Sequence, residues 1–155
     1  MSSADRGSLK VNPGDANILM LQKRNAVIHC ISSLSVNGNV HANTFGSTSN
    51  LIHKHANLFA SQTFDSSKDG IAIKDVVYSV NGDVTVERYT NNSDRANVLV
   101  LTQGQGHLQF PAEIPLQSGN LLVHFGATEG TVTFGVSKGD AFVDPYTQLR
   151  RDGSF

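Results

Sequence analysis

The sequence predicts an all-β fold: an antiparallel β-sandwich of jelly-roll or immunoglobulin-like type. Three observations lead there. Ser35-Val36-Asn37-Gly38-Asn39-Val40 returns as Ser79-Val80-Asn81-Gly82-Asp83-Val84, each copy inside an alternating apolar/polar run. Eight or nine such runs recur roughly every ten residues, separated by Gly- and Asn-rich turns, as in all-β domains. Only 16% of the chain is charged and 39% is apolar, with Ser, Thr, Asn and Gly filling the rest.

The elements follow in order. Residues 1–17 are polar around the turn Pro13-Gly14-Asp15, with Leu9 and Val11 as the apolar anchors, and read as an N-terminal arm. Ile18–Leu21 and Ala26–Ile31 are strands joined by a hairpin turn at Gln22-Lys23-Arg24-Asn25. Leu34–Val40 leads into the first Asn-Gly turn and returns through Ala42 towards Phe45. Gly46-Ser47-Thr48-Ser49-Asn50 breaks the alternation. Leu51, Ile52, His55, Leu58 and Phe59 then fall at helical spacing, which predicts one short helix near residues 49–60, with an irregular strand as the rival.

Asp65–Gly70 is a loop, and Ile71–Tyr89 the second Asn-Gly hairpin. Such turns favour φ > 0, which Gly, Asn and Asp accept cheaply. A three-residue loop would set Val80 opposite Val84 and Tyr78 opposite Val86, on one face. Val98–Leu101, continuously apolar, fits a strand buried on both faces. Pro111 and Pro115 keep the segment after His107 out of a central strand. Leu121–Phe125 and Thr131–Val136 flank Gly126–Gly130 as a third hairpin. Residues 18–138 thus form the sandwich domain, and 139–155 a C-terminal arm.

Composition narrows the function classes. A net charge of −1 with scattered Lys and Arg leaves no footprint for nucleic acid, and suits a subunit of an assembly. No apolar run approaches the ~20 residues of a membrane span, and the first residues carry no leader-like pattern, so a protein made in the cytoplasm is expected. Cys30, the one cysteine, excludes an intrachain disulfide and reads as a small buried hydrophobe rather than a catalytic thiol.

Reactive constellations are sparse. Asp65-Ser66-Ser67-Lys68-Asp69-Gly70 opens like a calcium loop, but the closing acid would fall at Val76, which cannot ligate. His53 and His55 share a face if the segment is a strand, and three such pairs on a threefold axis would hold a transition metal; on a helix they diverge. Gly104-Gln105-Gly106-His107 lacks the third Gly of a dinucleotide loop and reads as a turn. No hydrolase elbow or phosphate loop occurs. No catalytic, cofactor-binding or metal residue is assigned, and no enzyme is expected. A glycan-binding site would need exposed rings, for which Tyr78, Tyr89 and Tyr146 are the amphipathic candidates.

Val36-Asn37-Gly38-Asn39-Val40-His41-Ala42-Asn43-Thr44-Phe45-Gly46 resembles a segment found in fibre and other virion proteins of tailed bacteriophages and cyanophages. Those carry Gly-Asn-Val-x-Ala-Asn-x-Phe in arrays along β-structured shafts; here one full copy stands, unlike a long shaft. The resemblance implies a structural role in a virion and adds no catalytic residue. Together these readings predict a capsid decoration, cement or minor capsid protein, with a tail, neck, baseplate or fibre component as an alternative. Its partners would be other copies of itself and major capsid or tail proteins, without nucleic acid or membrane. Order of the arms would come from burying Leu9, Val11, Phe142, Val143, Tyr146 and Phe155 on adjacent subunits. An alternative of another class is a glycan-binding attachment module.

Overall fold

The computed structural model describes residues 15–33, 43–46 and 48–145. Two antiparallel sheets carry the fold. The first has strand order β1-β2-β10-β5-β8 and the second β3-β9-β6-β7. Their strands are β1 Asp15–Leu21, β2 Asn25–Ser32, β3 Asn43–Gly46, β5 Ile71–Val80, β6 Val84–Asn91, β7 Asp94–Leu101, β8 Gly104–Pro115, β9 Asn120–His124 and β10 Gly130–Lys138. A small ribbon pairs β4 Thr63–Phe64 with β11 Phe142–Val143.

Alternation builds the core. β2 and β10 bury every second residue, because successive side chains of a strand point to opposite faces. Ile28, Ile73, Val76, Val132 and Phe134 meet Val84, Val86, Leu121, Val123 and Phe125 in one buried cluster between the sheets, closed by Leu51, Leu116 and Phe142. The predicted β-sandwich is the observed fold.

Its connections differ from the expectation. β5 and β6 are not a hairpin: Val80 pairs with Gly104 and Gly130, while Val84 pairs with Leu101. Tyr78 lies opposite Val132 and Gly106 rather than Val86. Asn81-Gly82-Asp83 is an arch carrying the chain from one sheet to the other, with none of its residues at positive φ. The predicted third hairpin is likewise an arch, since β9 and β10 belong to different sheets. The two arches are laced together. Asn81 N donates to Glu129 O (3.0 Å), Glu129 N to Asn81 Oδ1 (2.8 Å) and Thr128 Oγ1 to Asp83 O (3.0 Å). The first Asn-Gly copy lies outside the described residues.

The β1–β2 hairpin forms where predicted, with Gln22 N donating to Asn25 O (2.8 Å). β1 starts at Asp15, inside the segment read as an arm. β8 occupies a sheet edge, as its prolines require, and a register shift opposite Ile73–Asp75 takes up Phe110 to Glu113. Val98–Leu101 is not doubly buried: it belongs to the edge strand β7, where Val100 is 54% exposed.

The predicted helix resolves into two 3-10 turns, Thr48–Leu51 and Leu58–Ala60. Side chains take the backbone bonds between them. His53 N donates to Gln62 Oε1 (3.0 Å), His55 N to Ser61 Oγ (2.9 Å) and Asn57 N to His55 Nδ1 (3.0 Å). Donors satisfied this way do not build the i→i−4 ladder of a helix. Phe142–Val143, expected in a C-terminal arm, belong instead to the ribbon with Thr63–Phe64, and residues 146–155 lie outside the described residues. Phe142 is 1% exposed and packs edge-on to Phe64 at 5.2 Å, so it anchors its own domain rather than a neighbour.

Candidate functional site

An open groove of about 480 Å³ lies on the outer face of the five-stranded sheet. Its floor is Gly135 of β10, between Val27 of β2 and Asp75 of β5. A Cβ at Gly135 would collide with Asp75 Oδ1, so the missing side chain is what lets the carboxylate lie across the strand. Met20, Val27, Phe110 and Pro111 give apolar walls.

Polar groups converge on the same floor. Lys74 Nζ donates to Asn25 Oδ1 at 2.7 Å, and Asp75 Oδ2 lies 3.1 Å from His107 Nε2. Gln109, which pairs with Asp75 across the strands, also lines it. Nearby on this face, Ser137 Oγ donates to Glu113 Oε1 (2.8 Å). The surface therefore offers mixed donors and acceptors between apolar walls.

A second polar cluster lies on the outer face of the other sheet. Arg95 grips Glu87 through Nε (2.8 Å) and Nη2 (3.0 Å), and His124 Nε2 lies 2.8 Å from Glu87 Oε2. These bonds pair a carboxylate that is only 6% exposed, and the hydrogen bond to Glu87 raises the Arg95 pKa. Tyr89 lies under the Arg95 guanidinium, 5.6 Å from its ring centroid, and its hydroxyl donates to Asn92 Oδ1 (3.2 Å). The lattice of bonds is inward-looking and holds the sheet face together.

Among the described residues, those singled out in the sequence do not converge, and Tyr146 lies outside them. Tyr78 covers Gly106, where a Cβ would meet the ring at 3.2 Å or less, so it packs on the core and not in the groove. His53 is half-buried and His55 exposed, with His55 Nδ1 occupied by Asn57. Asp65 Oδ1 accepts from Ser67 N (3.0 Å) and Ser67 Oγ (2.6 Å), which lowers its pKa and turns the oxygen into the loop's own bend. Among the described residues no group of three or more His, Cys, Asp or Glu gathers around a common point. Cys30 is 1% exposed, and burial pushes its pKa up to about 12. No described helix is long and apolar enough to cross a membrane.

Sequence reasoning missed the groove and the Glu87 cluster. A signal was present in strand parity: His107, Gln109 and Glu113 share one parity, but their neighbours Lys74 and Asp75 straddle an irregularity that no alternation reveals.

A third surface feature is an apolar tip. Leu58 is 80% and Phe59 92% exposed on the second 3-10 turn. Asn57 caps that turn, its Oδ1 accepting from Phe59 N at 3.0 Å.

No family profile and no curated protein matches this sequence. Among solved structures, similar chains include three forms of a carbohydrate binding module of family 29. A glutamate-to-arginine mutant is 10% identical, with 89% of this chain and 92% of that one covered at a TM-score of 0.34. An aspartate-to-alanine mutant, described as probing ligand recognition, is 9% identical over 92% and 99% at 0.33. A further module of the family is 11% identical over 90% and 91% at 0.33. At these scores the sandwich is established by the two sheets themselves rather than by the superposition.

Proposed function

We propose that this chain is a structural subunit of a tailed-phage particle, acting by contact with other subunits rather than by chemistry. The observation that carries the reading is the Leu58–Phe59 tip, a large apolar pair held out into solvent by a capped turn. Burying a large apolar side chain contributes roughly 1.5–3 kcal/mol, and repetition around a symmetric particle multiplies the effect. The tip takes the place of Phe142, which is used internally. The phage-like segment Val36–Gly46 supports the same reading. A head decoration or cement role is preferred; a tail, neck or baseplate position would use the same contacts, and copy number per particle separates the two.

The test is incorporation. The wild-type chain is expected to co-purify with particles through a density gradient, and Leu58→Ser/Phe59→Ser to be lost from them while remaining folded. Particles that lack the wild-type chain altogether would sink the reading.

A second reading, a glycan-binding attachment module, is favoured by the groove over Gly135, where Asn25, Lys74, Asp75 and Gln109 offer bonds to hydroxyls between apolar walls. A glycan array separates it. Saturable binding lost in Asp75→Ala would support it, and silence across neutral and acidic glycans would reject it.

A further inference from the structure

The exposed tip and the groove lie on either side of one turn. Gln62, three residues beyond Phe59, donates through Nε2 to Lys23 O at 2.9 Å, which fastens the tip's loop to the β1–β2 turn. Met20 and Asn25, which flank that turn, line the groove. One molecule therefore carries an apolar knob on a capped turn and an apolar-walled groove, both tied to the β1–β2 turn.

The two match in size. An apolar cavity of about 150 Å³ already takes a benzene ring, and the groove measures about 480 Å³. It has room for the Phe59 ring with Leu58 beside it.

They also match in charge. No Asp or Glu occurs from Ala16 to Phe64, while Lys54, His53 and His55 precede the knob. The groove side supplies carboxylates, Asp75 on the floor and Glu113 on the same face. Within the groove Lys74 is engaged by Asn25 and Asp75 by His107, so Glu113, bonded to the neutral Ser137 hydroxyl, gives this face its negative charge.

We infer that two copies of this chain associate reciprocally, the Leu58–Phe59 knob of each seated in the Gly135 groove of the other. This rests on the assembly reading and names the first partner in it. A closed two-fold pair requires that the patch meeting a second copy be self-complementary. A knob and a groove flanking one turn satisfy that with a single rotation, and both apolar surfaces leave water together.

Sedimentation of the purified full chain tests this. The wild type is expected at twice the protomer mass at micromolar concentration. Phe59→Ser removes the knob, and Gln109→Trp fills the groove from an exposed edge-strand position. Each is expected to weaken association at least tenfold with circular dichroism unchanged. Oxidation of a Phe59→Cys/Gln109→Cys chain is expected to give a covalent pair, whereas Phe59→Cys alone stays single. A monomeric wild type, a pair indifferent to Phe59→Ser, or cross-linking by Phe59→Cys alone would each overturn the inference. So would a monomer whose groove binds a saccharide. A monomer that still enters particles would overturn this pairing and leave the assembly reading standing.

Discussion

Lys138 Nζ donates to Gln62 Oε1 at 2.8 Å, joining two buried residues 76 positions apart in the chain. The same ammonium donates to Gln22 O (2.8 Å) and lies 4.6 Å from the centroid of the Phe142 ring. One cation thus ties the β1–β2 turn, the loop that carries the apolar tip, and the C-terminal ribbon. Burial, helped by the charge of Arg24 and opposed by Asp144, lowers its pKa from 10.5 to about 8. Below the lower value both folded and unfolded chains hold the proton, and the fold bears the cost of a buried charge. Between the two values the unfolded chain holds more protons, so stability rises with pH. One proton sets the ceiling of that slope at about 1.4 kcal/mol per pH unit. Urea denaturation at successive values between about pH 8 and 9, before the unfolded chain begins to ionise Cys30, should show the rise in the wild type, and Lys138→Met should flatten it.

Phe142 makes the second prediction. Its ring is buried against Phe64 and the Lys138 ammonium, in a ribbon where it pairs directly with Phe64. Truncating a buried Phe to Ala costs about 3–5 kcal/mol. Phe142→Ala should therefore destabilise the isolated chain by that order in chemical denaturation. An arm ordered only by a neighbouring subunit would show almost no loss.

The laced arches make the third. Asn81 Oδ1 holds the Glu129 amide, and Gly130 follows at φ 144 with Ser79 O where its Cβ would stand. Asn81→Ala removes one hydrogen bond and should cost about 1 kcal/mol. Gly130→Ala meets both an unfavourable backbone conformation and a backbone oxygen, so it should cost distinctly more. Denaturation midpoints of the two variants check the order. Equal effects would mean that the arch tolerates a Cβ there.

Strand positions and burial parity were legible in the residues because alternation is a local property. Ile28, Cys30, Val132 and Phe134 alternate in sequence and alternate in burial. Partner choice was not legible. Val80-Asn81-Gly82-Asp83-Val84 has the composition of a hairpin, yet β5 pairs with β8 and β10 and β6 with β7 and β9; β8, β9 and β10 are partners distant in the chain that no local pattern names. The helical spacing around Leu58 misled for a related reason. Gln62 and Ser61 supply the bonds that the helix would have made, and no periodicity records that. The groove depends on Gly135 meeting Asp75 across strands distant in the chain, a juxtaposition that exists only once the sheet is assembled.

Cys30 offers a direct probe of that assembly. It sits in the middle of β2, between Ala16 of β1 and Val132 of β10, with its side chain in the core. The thiolate is the reactive form of a cysteine, and burial holds the Cys30 pKa at about 12, so at pH 8 the native thiol is both neutral and inaccessible. Ellman's reagent should find almost no reactive thiol in the folded protein and one per chain in denaturant. Where reclosing outpaces labelling, the residual native rate reports the free energy of opening β2. Phe134→Ala should speed it by destabilising the neighbouring strand. Rapid labelling of the folded wild type would show that β2 is not enclosed between β1 and β10.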